Sequence, residues 1–587
     1  MRFMLAVISS EKPITTIMLR LLCLLLLLHP LLLHAQTPNR FDVLITELFP
    51  DPTPPAGLPE NEFIELKNVS GATINLRGWK LSDGTTTATI NVTINLPPDS
   101  FVIICTNSAV ASFATFGRTA GVTNFPSLNN EGDIIALYAP DGKLIHVVPY
   151  SNQWYRNPAK EDGGFTLEMI DTRNPCNGAG NWKASEDNSG GTPGRTNAVT
   201  GNNPDGQPPA LLRTYTTDSV TIVAVFDEPL DSASAAIAAR YTLDHNTGSV
   251  VTATPVAPLF TEVTLKLPVA LKATEVYQLS VNALTDCSGN AIGMAHIAKA
   301  GLPQAADVSA IVINELLFDP PPGGYDYIEL YNGGNKVVDL KQLYIANRSA
   351  AGLLSNIRQL SAVPRLWFPG EYMVFTEDSR WLQEHYLVKD PAFIIALPSL
   401  PSLPDDKGTV VITNLQGNVV DELQYDSKWH FNLISNKEGV ALERISYREP
   451  SQNNNNWMSA ASAAGFGTPG YQNSQFRADI QANGTILVTP SLFSPDNDGF
   501  DDMAGVQYQV SEPGYVVNIT IFDAAGILVR HLVQSATLGR QGVFRWDGLD
   551  DRQRKLPVGV YLVFTELFNG QGKTKKFRNA VTLVRRF

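Results

Sequence analysis

Apolar and polar positions along the chain change over short distances, with the periods expected of strands. Residues 63–69, Phe63-Ile64-Glu65-Leu66-Lys67-Asn68-Val69, alternate with a period of two, which predicts a half-buried strand. Residues 337–340, Val337-Val338-Asp339-Leu340, repeat that pattern. Residues 101–105 and 134–138 are continuous β-branched or aromatic runs, suited to strands inside a sandwich. Turn signals punctuate the runs at Ser82-Asp83-Gly84, Pro140-Asp141-Gly142 and Leu415-Gln416-Gly417-Asn418. Many short strands at regular spacing, joined by hairpin turns, predict an all-β chain of sandwiches.

A long internal repeat organises these strands. Ile45-Thr46-Glu47-Leu48-Phe49-Pro50-Asp51-Pro52 returns as Ile313-Asn314-Glu315-Leu316-Leu317-Phe318-Asp319-Pro320. Phe63-Ile64-Glu65-Leu66 returns as Tyr327-Ile328-Glu329-Leu330, and Thr166-Leu167-Glu168 as Ala441-Leu442-Glu443. Asn181-Trp182 returns as Asn456-Trp457, and Gly191-Thr192-Pro193-Gly194 as Gly467-Thr468-Pro469-Gly470. The order persists while the spacing drifts by a few residues, as in two related domains with loop insertions. The period is far too long for a solenoid. The two copies are placed at 38–200 and 306–475.

Taken in that order, these motifs resemble the lamin-tail domain, an immunoglobulin-like β-sandwich found in nuclear lamins and in many secreted bacterial proteins. Gly78-Trp79-Lys80-Leu81-Ser82-Asp83 fits the family pattern in the first copy. The second copy has Leu343-Tyr344-Ile345-Ala346-Asn347 there and keeps only the apolar character.

Two further units complete the chain. Residues 207–303 contain Phe226-Asp227-Glu228-Pro229-Leu230-Asp231 and Leu284-Thr285-Asp286-Cys287-Ser288-Gly289-Asn290, and resemble the bacterial Ig-like domain of surface-layer type. Residues 476–587 contain Trp546-Asp547-Gly548 and Leu556-Pro557-Val558-Gly559-Val560-Tyr561. They resemble the FlgD-like Ig domain, and equally the C-terminal domain associated with gliding motility and type IX secretion, which implies a role in export or surface attachment. Trp546 and Tyr561 are natural core anchors for such a unit. Linkers are expected at 202–209, 298–306 and 472–475. The resulting fold class is all-β: four tandem Ig-like β-sandwich domains joined by short linkers after a signal peptide.

The leader is read from residues 18–33, one Arg followed by an almost unbroken Leu run, ending in His34-Ala35-Gln36. A basic residue, an apolar core and a small residue at the cut describe a secretory signal peptide, 1–35, cleaved after Ala35. The alternative, a membrane anchor, needs ~20 apolar residues, and Pro30 shortens this run. No transmembrane helix is expected after cleavage. Of the 4 cysteines, Cys23 leaves with the leader; Cys105, Cys176 and Cys287 remain, so at most one pair forms within the chain. The formal net charge of −13 argues against a nucleic-acid partner, which calls for a basic face.

Signs of catalysis are sparse. HExxH and GxSxG strings are absent, no SxxK string occurs after the leader, and the histidines after the leader show no ligand spacing. Gly572-Lys573-Thr574 resembles the end of a phosphate loop, but Leu567 stands where its first Gly belongs, so it reads as a hairpin turn. Glu47/Glu65 and Glu315/Glu329 recur in both copies and could form acid–base couples. Their period-2 setting places them on the polar face of strands. Asp496, Asp498, Asp501 and Asp502 offer hard oxygen ligands to calcium, although the spacing is not that of an EF-hand; the alternative is a turn that bonds its own backbone. No other cofactor is expected. No aromatic platform is legible. These features point to a non-catalytic protein, secreted or on the outer surface of a Gram-negative bacterium. Its partners would be an unknown surface or extracellular ligand, protein or polysaccharide, and the export machinery through the C-terminal domain. The alternative is an accessory or degenerate member of a secreted nuclease or phosphatase system.

Overall fold

The computed structural model describes residues 38–245, 248–294, 296–476, 485–510, 514–569 and 574–585. The leader and Cys23 lie outside the described residues, as do Gly572 and Lys573.

Two sandwiches have the same topology, one per sequence repeat. In the first, six strands run in the order Trp182–Ala184, Leu167–Met169, Val43–Phe49, Phe63–Asn68, Phe101–Thr106, Thr119–Val122. A four-stranded sheet of Leu144–Ser151, Gly132–Tyr138, Lys80–Ser82 and Thr87–Thr89 faces it. In the second, the six-stranded order is Trp457–Ser459, Leu442–Arg444, Ile311–Leu317, Tyr327–Asn332, Tyr372–Thr376, Ile394–Ala396. Each large sheet ends in a parallel edge pair, and each central strand carries a bulge just before its glutamate, Glu47 or Glu315.

The cores follow from the strand composition. Val43, Ile45, Ile64, Leu66, Val102 and Ile104 meet Leu81, Ile135 and Leu137 of the facing sheet around Trp79. The opposite face of the six-stranded sheet is also covered. Phe49, Phe63, Ile103 and Cys105 pack beneath Phe113 of the short helix Val110–Phe113. Phe63–Asn68 is therefore buried on both faces along most of its length, rather than half-buried.

The third sandwich pairs Leu211–Asp218, Thr221–Phe226, Glu262–Lys266 and Thr252–Pro255 against Tyr241–Leu243, Val276–Val281 and Ile297–Gly301. The last of these strands occupies part of the expected linker at 298–306. In the C-terminal unit the main sheet is Leu492–Phe493, Thr574–Leu583, Gly559–Asn569, Tyr515–Asp523 and Leu528–Thr537. Trp546, on strand Gln541–Trp546 of the unit's second sheet, is buried in the core with its ring 5.2 Å from those of both Phe493 and Tyr561.

Consecutive units are tied together. Cys176 and Cys287 form a disulfide between the first sandwich and the Ig-like unit, with Cα atoms 6.3 Å apart, and Ser288 Oγ donates to Asn174 Oδ1 beside it. Cys105 is buried and free. Arg213 Nη1 donates to Pro364 O, and Lys299 pairs with Glu371 at 2.6 Å, joining the Ig-like unit to the second copy. The expected polar linker at 472–475 is instead packed. Gln475 is buried, and its amide donates to Ser459 O and Leu538 O, while Arg540 N–H donates to Ser474 O. A buried amide must find partners, so a polar stretch draws the two units together rather than separating them.

Candidate functional site

The repeated motifs converge on one arrangement in each copy. Strand register sets Glu47 opposite both Glu65 and Glu168, and Glu315 opposite both Glu329 and Glu443. The Gly-Thr-Pro-Gly loop closes over each trio. In the first copy Thr192 N–H donates to Glu47 Oε1 at 2.7 Å and Gly194 N–H to Glu65 Oε2 at 2.6 Å. Thr192 Oγ1 donates to Glu168 Oε1 at 2.7 Å. In the second copy Thr468 N–H donates to Glu315 Oε1 at 2.8 Å, Gly470 N–H to Glu329 Oε2 at 2.6 Å and Thr468 Oγ1 to Glu443 Oε1 at 2.9 Å. The glycines are required by space and backbone. Gly194 has φ +80° and Gly470 φ +84°, and a Cβ on Gly191 would stand 2.6 Å from Glu47 Oε1.

These glutamates are not on a solvent-facing surface, as the alternating pattern implies; all six are 0% exposed. Burial, with the neighbouring carboxyls Glu65 and Glu168, holds Glu47 well above the usual carboxylate range. Burial also pushes Glu65 up to about 8, and burial with Glu443 pushes Glu315 up to about 8. Burial and Glu315 raise Glu329 well above its ordinary value. Groups so sealed meet no external substrate. Their chemistry is internal: they accept loop N–H and hydroxyl donors and pin the last segment of each copy to its central strands.

The two histidines packed in the same copies are likewise internal. His146 Nδ1 accepts Ile45 N–H, and Asp421 Oδ2 accepts Ile313 N–H at the equivalent place in the second copy. Burial lowers His146 and His430 to about 4, so both are neutral.

Of the expected calcium ligands, Asp496, Asp498 and Asp502 bring carboxylate oxygens within 4.8 Å of one another; Asp501 stands outside the group. Asp502 also accepts Asn497 and Gly499 N–H, and Asp498 accepts Phe500 N–H, as a self-closing Asx turn does. A second acidic group, Asp205, Glu228 and Asp286, escaped the sequence reading because its members come from three distant segments. Burial, then Asp205, Asp286 and Asp227, push Glu228 up to about 8.

Aromatic surfaces also emerge only on folding. Tyr331 stacks on Tyr447 at 3.9 Å, and Tyr447 on Phe476 at 4.4 Å, so both faces of Tyr447 are occupied from within. By contrast, Trp154 is half-buried, has Trp182 tilted by 40° at 6.2 Å, and lines a cleft of about 320 Å³ between the first sandwich and the Ig-like unit.

Comparison with known proteins adds the following. Residues 36–152 and 304–427 match the family model of the lamin tail domain. Strands Leu167–Met169 and Leu442–Arg444 and both Gly-Thr-Pro-Gly loops complete the same sandwiches beyond the matched stretches. CopC from Methylosinus trichosporium OB3b is 17% identical over 18% of this chain and 97% of that chain, with a TM-score of 0.14. The S-layer protein rSbsC(31-844) is 11% identical over 64% of this chain and 54% of that chain, with a TM-score of 0.15. A Ca2+-stabilized adhesin that helps an Antarctic bacterium bind ice is 9% identical over 92% and 99%, with a TM-score of 0.12. No curated protein matches.

Proposed function

We propose that the protein is an exported, non-catalytic modular protein that works outside the cell in adhesion, scaffolding or matrix binding. The C-terminal unit would direct it to, or hold it at, the outer surface. The observation that carries this reading is the Cys176–Cys287 disulfide between neighbouring units. Disulfides persist in oxidising compartments and are rare in the cytosol. A cross-link between domains, with the polar seams at Pro364 and Leu538, braces a tandem array as a load-bearing or display role requires. The lamin-tail regions support the same reading, since their repeated carboxyls act as internal locks. The test is fractionation of the native host combined with truncation after Ser474. The full chain should be recovered from the surface or medium. The truncated chain should be lost from it. Equal recovery of both would refute the sorting role, and a cytoplasmic location would refute the whole reading.

A further inference from the structure

We infer that the cleft between the first sandwich and the Ig-like unit is a carbohydrate-binding site that takes one or two pyranose rings of a neutral glycan. This rests on the extracellular binding role proposed above and narrows its ligand. At about 320 Å³ the cleft sits at the small end of the ~300–1,000 Å³ typical of ligand pockets. Its wall combines the apolar surfaces of Trp154 and Phe41 with Arg40, Asp227 and Glu228 and the backbone of residues 177–180.

A pyranose presents C–H groups on its faces and hydroxyls around its rim. An indole face receives the first, and groups that donate and accept in close quarters receive the second. The cleft supplies both kinds. Arg40 lines the same cleft and brings guanidinium N–H donors to its wall. The Arg40 guanidinium is held over Phe41 at 4.7 Å and over Phe260 at 4.6 Å, so it is positioned from both units. Asp227 and Glu228 add carboxyl oxygens to the same wall, acceptors for the hydroxyls around a sugar rim. The Cys176–Cys287 bridge fixes the two walls relative to each other, since Cys176 itself lines the cleft. A preorganised wall lowers the ordering cost of binding.

The test is titration of the intact mature protein with maltohexaose, cellohexaose and chitohexaose, followed by tryptophan fluorescence and by ligand-observed NMR. Saturable binding of at least one hexasaccharide is expected. Trp154→Ala should weaken it by about tenfold or more, and Leu259→Trp, which fills the cleft from the other wall, should do the same with Trp154 intact. Trp429→Ala, at the equivalent place in the second copy, should leave affinity within about twofold. Near-UV circular dichroism of each variant confirms folding. Binding that ignores both cleft variants would overturn the site. Failure of all three sugars, or capture of hexalysine in their place, would overturn the ligand class. Either result leaves surface location, measured separately by fractionation, untouched.

Discussion

Glu65 and Glu315 carry charge chemistry into a place water does not reach. Each has an ordinary value of 4.5 and is pushed up to about 8 in the fold. The folded state therefore holds protons that the unfolded chain has already released. Stability from this source is complete below about pH 4.5 and is lost as pH rises through about 8. Thermal melting of the intact protein should occur at lower temperature at pH 9 than at pH 6, and Glu65→Gln with Glu315→Gln should flatten that dependence. Melting that is flat or rises with pH in the unaltered protein would contradict it. The loop donors give a second prediction. Thr192→Val leaves Glu168 Oε1 without its hydroxyl donor and should cost about 1–3 kcal/mol in denaturant unfolding. Gly191→Ala should be at least as damaging, because its Cβ meets Glu47 Oε1 at 2.6 Å. Sequence showed that these residues recur but not why. The period-2 pattern of residues 63–68 has the same form whether the polar side faces water or a loop 129 residues away in sequence. Only closure by Gly194 decides between the two.

At the scale of elements, the strands at 101–106 and 132–138 were legible because β-branched runs between turn signals have few alternatives. The connections were less so. Residues 298–301 form an edge strand, and Gln475 packs into a seam, because small or polar composition does not reveal which backbone groups find partners. The stretch at 206–208 remains exposed, as a linker should be. Limited proteolysis is therefore expected to cut near 206–208 before any site at 300–301 or 472–476. The products should stay joined through Cys176–Cys287 on a non-reducing gel and separate on reduction. Early release of the C-terminal unit by cleavage at 472–476 would show that the Gln475 seam is open in solution.

For the whole molecule, the two-copy organisation was the most legible feature, since motif order survives loop insertion. The disulfide was not, because three cysteines leave their pairing open and the bonded two are 111 residues apart. The cleft was not either, since Phe41, Trp154 and Glu228 come from three separate stretches that only the packing of two units brings together. The central claim, an exported and disulfide-braced array, is tested most directly by the intact mass of the native protein after alkylation under denaturing, non-reducing conditions. The account predicts a chain that begins at Gln36, recovered from outside the cell, with one alkylated thiol, Cys105. A chain that retains residues 1–35 and carries alkyl groups on Cys105, Cys176 and Cys287 would contradict it.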